Sequence, residues 1–392
     1  MKVFIIPSWY PSEFNPIYGI FNHEQARMMA RERPDWSIGV SKWGQGDEPF
    51  LLRAGDPRSV IKYFRKFEDC ETQVADNLKE YFSGAFTWTR KIKKGNIGGI
   101  TRASDKNLQR FISDYGKPEV ISAQASYPAA LVACALSEKY DIPFTVTIRM
   151  SPFPFAQYDA GNNRLKPILN EPLQKASCLI CTSDGLRKRV ESFGFTSVKT
   201  VNNPVDTDLF KPSVDEEQLQ ITALAVGRIE EQKGIDLLLL ALAEIPNLKL
   251  RIGGKGGLLN QYKRFSRELG VENRVEWLGE LSREATVNEM QRCSFYVLSS
   301  RHETFGNVVV EAMACGKPVV ATKCGGPSEL VTAETGYLCE IDTKDLVEKM
   351  SKMSENLNSF DSVKIRQYVE EKYAPQIWIE NLEQVFKSIT TS

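Results

Sequence analysis

Histidine is nearly absent: His23 and His302 are the two in 392 residues. That excludes a histidine-rich metal centre. Long apolar runs are also missing. The most extended, Ala129 to Leu136 and Leu237 to Ala243, fall well short of the ~20 residues a membrane-spanning helix needs. Net charge is absent, with 50 Lys+Arg against 50 Asp+Glu. This argues against a dedicated nucleic-acid binder, whose affinity rests on surplus cations. There is no internal repeat and no low-complexity tract, so solenoid and disordered classes drop out. The opening Met1-Lys-Val-Phe-Ile-Ile-Pro7 is too short for a signal peptide and lacks a small-residue cleavage site. The expectation is a cytoplasmic chain whose eight cysteines are reduced thiols. Cys178 and Cys181 have redox or zinc spacing. They sit in a strand-like stretch with no second pair nearby, so they read as core.

What is present is ordinary in amount and regular in order. Hydrophobic residues make up 42% and charged residues 26%, the balance of a globular chain. The length exceeds what one core of ~250–300 residues supports. Short apolar strands are expected at 2–6, 37–40, 120–123, 144–148 and 178–182, with helical patterns at 21–31, 127–140 and 185–193 between them. Such alternation predicts parallel βαβ units. It breaks at Val201-Asn-Asn-Pro-Val-Asp206 and then restarts. Strands are expected at 221–226, 249–252, 275–278, 295–298 and 318–321, and helices at 235–244, 258–269, 283–291 and 306–314. The fold class is therefore α/β, with two tandem doubly wound, Rossmann-like domains at 1–203 and 204–375. An amphipathic helix over 376–392 is expected to pack back on the N-terminal domain. In such folds ligands bind at the carboxyl ends of the strands, which predicts an interdomain cleft as the site.

Three strand-to-helix turns could carry chemistry. Gly227-Arg-Ile-Glu-Glu-Gln-Lys-Gly234 allows close backbone approach at Gly227 and brings Arg228 and Lys233 to a helix N-terminus. That is a design for a diphosphate. A solvated turn, its cations paired with Glu230 and Glu231, is the plain alternative. Ile252-Gly-Gly-Lys-Gly-Gly257 offers Gly254 and Gly256 as a glycine turn that a nucleotide can approach, or as a tight turn without a ligand. The full dinucleotide fingerprint fails, because position 259 is Leu. The third turn runs from Ser299 to Gly316. Glu303 precedes a helix, Phe305, Gly306, Asn307 and Val308 form its entry, and Glu311 lies inside it among apolar neighbours. A buried carboxylate needs a partner, which a ribose diol or a structural hydrogen bond would supply.

The Gly-Arg…Lys-Gly turn and the pair Glu303 and Glu311, with seven residues between them, resemble retaining glycosyltransferases of the GT-B fold, family 4. Further motifs run in that family's order: Asn202-Asn-Pro-Val-Asp206, Trp277-Leu-Gly279, Gly325-Gly-Pro-Ser-Glu-Leu-Val331 and Gly336-Tyr-Leu338. A looser likeness covers Trp9-Tyr-Pro11 and Gly19-Ile-Phe21. The resemblance implies that Arg228 and Lys233 neutralise a nucleotide-sugar diphosphate, with Glu303 on the donor sugar and Glu311 on the ribose. It also implies backbone N–H groups near 306–308 on the phosphates, and the loop at Tyr18 and Gly19 facing the donor. His302, beside Glu303, joins the donor list; His23 reads as packed or surface. A UDP-sugar is favoured as donor, a GDP-sugar next, and a glycan or lipid-linked oligosaccharide as acceptor. No metal and no cofactor are implied.

Two positions depart from the family. Arg149 and Gln124 stand where histidine is common. A guanidinium cannot be a base near neutral pH, but it suits a phosphate or an anionic acceptor. A basic stretch, with Arg90, Lys91, Lys93, Lys94, Arg102, Lys106 and Arg110 against Asp105, suits anionic lipid at the inner membrane face or is a mobile loop. The alternatives are a sugar-nucleotide epimerase and a non-catalytic sugar or lipid-carrier binding protein. The failed third glycine disfavours a nicotinamide oxidoreductase. The zero net charge is a cancellation: residues 1–205 hold 28 Lys+Arg against 21 Asp+Glu, and the remainder 22 against 29.

Overall fold

Short apolar runs become parallel strands here, because a strand covered on both faces needs apolar residues at every position. The computed structural model describes residues 1–45, 47, 50, 68–88, 95–213 and 220–390. The chain divides into two units. Unit 1 holds Met1–Thr182, Arg187–Val201 and Ile379–Ser392. Unit 2 holds Ser183–Leu186 and Asn202–Trp378. The main division falls between Val201 and Asn202, where the Pro-containing turn begins.

Unit 1 is built on β1 (Lys2–Pro7), β2 (Ser37–Lys42), β3 (Cys70–Ala75), β4 (Leu78–Phe82), β5 (Val120–Gln124) and β6 (Phe144–Ile148). After the small hairpin of β7 (Asp159–Gly161) and β8 (Arg164–Leu165) come β9 (Cys178–Cys181) and β10 (Val198–Thr200). The eight-stranded order is β10-β9-β6-β5-β1-β2-β4-β3. All pairs are parallel except β3 with β4. That hairpin is absent from the sequence reading for a physical reason. Cys70–Ala75 is an edge strand without a buried residue, so it has no apolar alternation to read.

The basic stretch is corrected in part. Its described half is no loop: Ile97–Tyr115 is a helix, capped by the Asn96 side chain accepting from Gly99 N. Arg110 on that helix donates to the Phe82 carbonyl at 2.7 Å and the Ser83 hydroxyl at 3.0 Å, so it pins the strand end and is not offered to lipid. Arg90, Lys91, Lys93 and Lys94 lie outside the described residues. The far end of the chain belongs to this unit too. On helix Pro375–Thr390, Glu383 accepts from Arg33 at 2.9 Å and the Phe386 ring lies 6.2 Å from that of Trp36.

Unit 2 has β11 (Thr222–Val226), β12 (Lys249–Gly253), β13 (Val275–Gly279), β14 (Phe295–Leu298), β15 (Val319–Thr322) and β16 (Gly336–Cys339), all parallel, ordered β13-β12-β11-β14-β15-β16. Period-2 alternation divides β14 between two cores. Phe295 and Val297 pack with Leu238, Leu239 and Leu242 on one face, and Tyr296 and Leu298 with Val309, Val310 and Met313 on the other. Each such large side chain contributes roughly 1.5–3 kcal/mol on burial. Cys178 and Cys181 are buried free thiols in β9, and burial pushes both thiols up. Among the described residues no helix is long and apolar enough to cross a membrane.

Candidate functional site

Each sheet has one place where the strand order reverses, and a crevice opens there at the carboxyl ends of the strands. In unit 2 the chain runs β11, β12, β13 to one side and returns with β14 on the other side of β11. In unit 1 the reversal lies between β1 and β5. The residues singled out from the sequence gather at these two places.

In unit 2, Gly227, Arg228, Lys233, Tyr296, Ser299 and Ser300 line one recess at the ends of β11 and β14. Lys233 and Glu303 meet in it. Lys233 Nζ is 2.5 Å from Glu303 Oε1, and Ser300 Oγ donates to the same oxygen at 2.8 Å. Ser299 Oγ donates to the Lys233 carbonyl at 2.9 Å. Gly227 lies against the Lys233 side chain, which a Cβ there would meet at 3.2 Å. The solvated-turn alternative is thus divided. Arg228 is exposed and pairs with Glu230 at 3.2 Å, while Lys233 reaches across 70 residues of sequence.

The two strand-end loops are stitched together by contacts the sequence did not announce. Gln232 donates to the His302 carbonyl at 2.7 Å, leaving the exposed His302 side chain outside this bond. Arg301 takes Asp236 with both terminal nitrogens, at 3.0 and 2.6 Å. Burial would raise the Asp236 carboxyl, but the Arg301 bonds outweigh it and hold it low. Glu303 itself is seated by glycine. Its N–H donates to Cys324 O at 2.8 Å and its carbonyl accepts from Gly326 N at 3.1 Å. A Cβ on Gly325 (φ +117°) would fall 2.3 Å from the Glu303 carbonyl oxygen. Burial pushes the neighbouring Cys324 thiol up to about 12, so it is no thiolate nucleophile.

Helix Asn307–Ala314 follows directly, with Gly306 as its N-cap at φ +98°. The first-turn N–H groups of such a helix have no intrahelical acceptors and can take an anion. Asn307 Oδ1 accepts from Asn203 at 2.9 Å, so the Pro-containing turn holds this end. Val308 is half-buried against the core. Phe305, at the helix entry, turns its side chain into the core. It is 1% exposed and stacks edge-on against Tyr373, so only its backbone can serve a ligand. Glu311 is 7% exposed and has a partner inside the chain: Arg283 donates to it at 2.9 Å, with its guanidinium 4.7 Å above the Phe210 ring. The sequence reading missed Arg283. Gly254 and Gly256 also carry a structural demand. Their Cβ positions are taken by the carbonyl oxygens of Gly227 at 1.8 Å and Ile229 at 2.2 Å, so neighbouring turns pack backbone to backbone there.

In unit 1, Gly19 caps helix Ile20–Glu32 at φ +71°, and its missing Cβ would lie 2.3 Å from the Trp9 carbonyl carbon. Tyr18 is half-exposed on the loop before it. Gln124 ends β5 and Arg149 follows β6. Arg149 NH2 donates to Gln124 Oε1 at 3.0 Å and to Gln25 Oε1 at 2.6 Å. His23 belongs to a separate network. Glu80 there accepts from Tyr10 at 2.8 Å and Lys42 at 2.9 Å and lies 3.2 Å from His23 Nδ1. Burial works against the Glu80 charge, yet the bonds from His23, Lys42 and Tyr10 prevail and hold the carboxyl at about 2.

Comparison with known proteins supplies the context for this arrangement. Residues 206–371 match the family described as glycosyl transferases group 1, and residues 84–209 match glycosyltransferase family 4. The chain is 28% identical over 240 residues to an uncharacterised glycosyltransferase of Methanocaldococcus jannaschii, covering 61% of this chain and 66% of that one. It is 26% identical over 236 residues to a phosphatidylinositol N-acetylglucosaminyltransferase subunit of Arabidopsis thaliana, covering 58% and 53%. The chain thus spans between half and two thirds of the length of these relatives. An Anabaena protein crystallised with UDP shares the fold at a TM-score of 0.71 and 19% identity, over 99% of this chain and 100% of that one.

Proposed function

We propose the reaction on one premise: the chain belongs to the GT-B glycosyltransferases of the family 4 type. It moves a sugar from a nucleoside diphosphate sugar to a hydroxyl of a glycan or lipid-linked acceptor. The observation that carries this reading is the meeting of Lys233 and Glu303 at the strand-order reversal of unit 2. A leaving diphosphate needs positive charge held where the negative charge develops. Lys233 lies beside the recess, Arg228 is exposed and free to swing from Glu230, and the N-terminus of helix Asn307–Ala314 supplies backbone donors. When the donor enters, its diphosphate competes for Lys233, and Glu303 is freed to accept from a sugar hydroxyl. Arg283 and Glu311 then hold the nucleoside end.

Lys233 and Arg228 support transfer without a metal. They also fit retention of anomeric configuration, in which the acceptor attacks the face that the diphosphate leaves and a phosphate oxygen takes the proton. The UDP in the Anabaena neighbour favours a UDP-sugar, with a GDP-sugar next. The relative named a phosphatidylinositol N-acetylglucosaminyltransferase subunit and the surplus of cations over residues 1–205 favour an acceptor at the cytoplasmic membrane face, approached peripherally. The test is nucleoside diphosphate release from a panel of UDP- and GDP-sugars with an acceptor extract. Glu303→Ala and Lys233→Ala each abolish turnover, and EDTA leaves it unchanged. Release from no donor overturns the reading; full activity in either variant overturns the site.

A further inference from the structure

Strands β11 and β14 are neighbours in unit 2, but they pair only briefly. Their register sets Ala223 beside Phe295 and Leu224 beside Tyr296. Beyond that, β11 stays with β12 as far as Val226 and Gly253, and β14 stays with β15 as far as Leu298 and Ala321. The two segments meet again past the strands, where Arg301 N donates to Gln232 O at 2.7 Å and Ser299 Oγ to Lys233 O at 2.9 Å. Between these meetings lies the recess lined by Val226, Gly227, Tyr296 and Ser299. Its volume is about 10 Å³, the scale of a single water, so a phosphate stays at its mouth. The parting leaves the Val226 backbone facing the gap. Gly227 N donates to Gly253 O on β12, so by strand alternation the Val226 N–H and C=O point the other way, toward the departed β14. Tyr296 fills that place. Val226 N–H donates to its hydroxyl at 3.2 Å, and the hydroxyl donates to the Val226 carbonyl at 3.1 Å. One phenol thus stands in for the missing ladder bonds. The Tyr296 side chain is fully buried, and burial pushes the phenol well above its ordinary value, so it keeps the proton it donates. The next residue carries the effect toward the site: Lys233 Cε lies 3.2 Å from where a Cβ on Gly227 would stand. A lysine has a flexible stem, and its value to a leaving diphosphate depends on where the ammonium is held.

We propose that Tyr296 is a positioning residue for Lys233: its hydroxyl fixes Val226 and Gly227, against which the lysine stem lies, while Ser299 fixes the lysine backbone. The diphosphate that Lys233 meets rests on the glycosyl-transfer reading; the clamp on Lys233 does not. Tyr296 itself touches no ligand, because both capacities of its hydroxyl are spent on Val226.

The experiment is calorimetric titration of the intact chain with inorganic pyrophosphate at low salt. Affinity is expected to fall about tenfold in Tyr296→Phe and by that much or more in Lys233→Met. In the double variant the losses do not multiply, because without the ammonium there is nothing left to position. Ser299→Ala reads the same coupling if Tyr296→Phe fails to fold: it weakens binding alone and adds nothing to Lys233→Met. Val369→Ala, in the same apolar core as Tyr296, lowers stability and leaves pyrophosphate affinity unchanged. Losses that multiply in the double variants overturn the proposal. So does affinity unchanged in both Tyr296→Phe and Ser299→Ala, or an equal loss in Val369→Ala. A wild-type chain that binds no pyrophosphate overturns the diphosphate site and the proposal with it. Absence of nucleoside diphosphate release from every donor, with the coupling intact, overturns the transfer reading alone.

Discussion

Gly326→Ala tests whether glycine seats Glu303. Gly326 has ordinary right-handed backbone angles, φ −47° and ψ −42°, so alanine costs nothing conformationally. Its Cβ, however, would stand 2.4 Å from Phe305 Cα, 2.5 Å from Phe305 O and 2.6 Å from Thr304 O. These are backbone atoms, which cannot rotate away. To reach ordinary contact near 3.4 Å, the segment 303–305 must retreat by about 1 Å. A misplacement of that size costs on the order of 10²-fold in rate, or about 2.7 kcal/mol of barrier. Overpacking costs roughly 1–3 kcal/mol of stability. The control is Gly257→Ala, where a Cβ meets nothing within 4 Å, with stability unchanged or raised by ~0.4–1 kcal/mol. The assays are kcat from nucleoside diphosphate release and the urea midpoint. A Gly326→Ala enzyme with wild-type kcat and midpoint would refute the reasoning.

Three further outcomes are expected. Acid stability depends on Glu80: its folded pKa of about 2 lies below its ordinary 4.5, so its stabilisation is complete above 4.5 and is lost as pH falls toward 2. The shift is worth about 3 kcal/mol, and Glu80→Gln flattens that limb of the urea midpoint against pH. Arg283→Ala leaves Glu311 buried without this cation and lowers the urea-derived stability by ~1–3 kcal/mol; in a double-mutant cycle with Glu311→Gln, the two losses fail to add. Alkylation of the native chain modifies exposed Cys70 first and half-buried Cys134 next; rapid labelling of Cys178 or Cys181 would contradict their burial.

The sequence was most legible where one physical rule acted alone. Phe295–Leu298 is a continuous apolar run with no competing reading, and helix Ile235–Glu244 is bounded by Gly234. Edge strand β3 has no buried face, so period-2 reasoning could not find it. In the site, residue types were legible and pairings were not. Lys233 and Glu303 are 70 positions apart, and only the β11–β14 adjacency explains their meeting. Arg283 looked like one more charge at a helix start, since nothing local says that Phe210 lies under it. For Gly254 and Gly256 two readings stayed open, because a glycine's missing Cβ leaves room for either a phosphate or a neighbouring carbonyl, and here carbonyls lie at both Cβ positions.

The return of residues Ile379–Ser392 to unit 1 has a consequence for biogenesis. A ribosome delivers the first strands of that unit early, yet Phe386 and Glu383, partners of Trp36 and Arg33, emerge only after all of unit 2 has been made. Unit 1 is therefore completed only after unit 2, and a frameshift or premature stop before Ile379 strips packing from unit 1. Asn202–Trp378, by contrast, is nearly one uninterrupted segment, so it can be excised and expressed alone with only Ser183–Leu186 missing, while a fragment ending at Val201 lacks part of its own core.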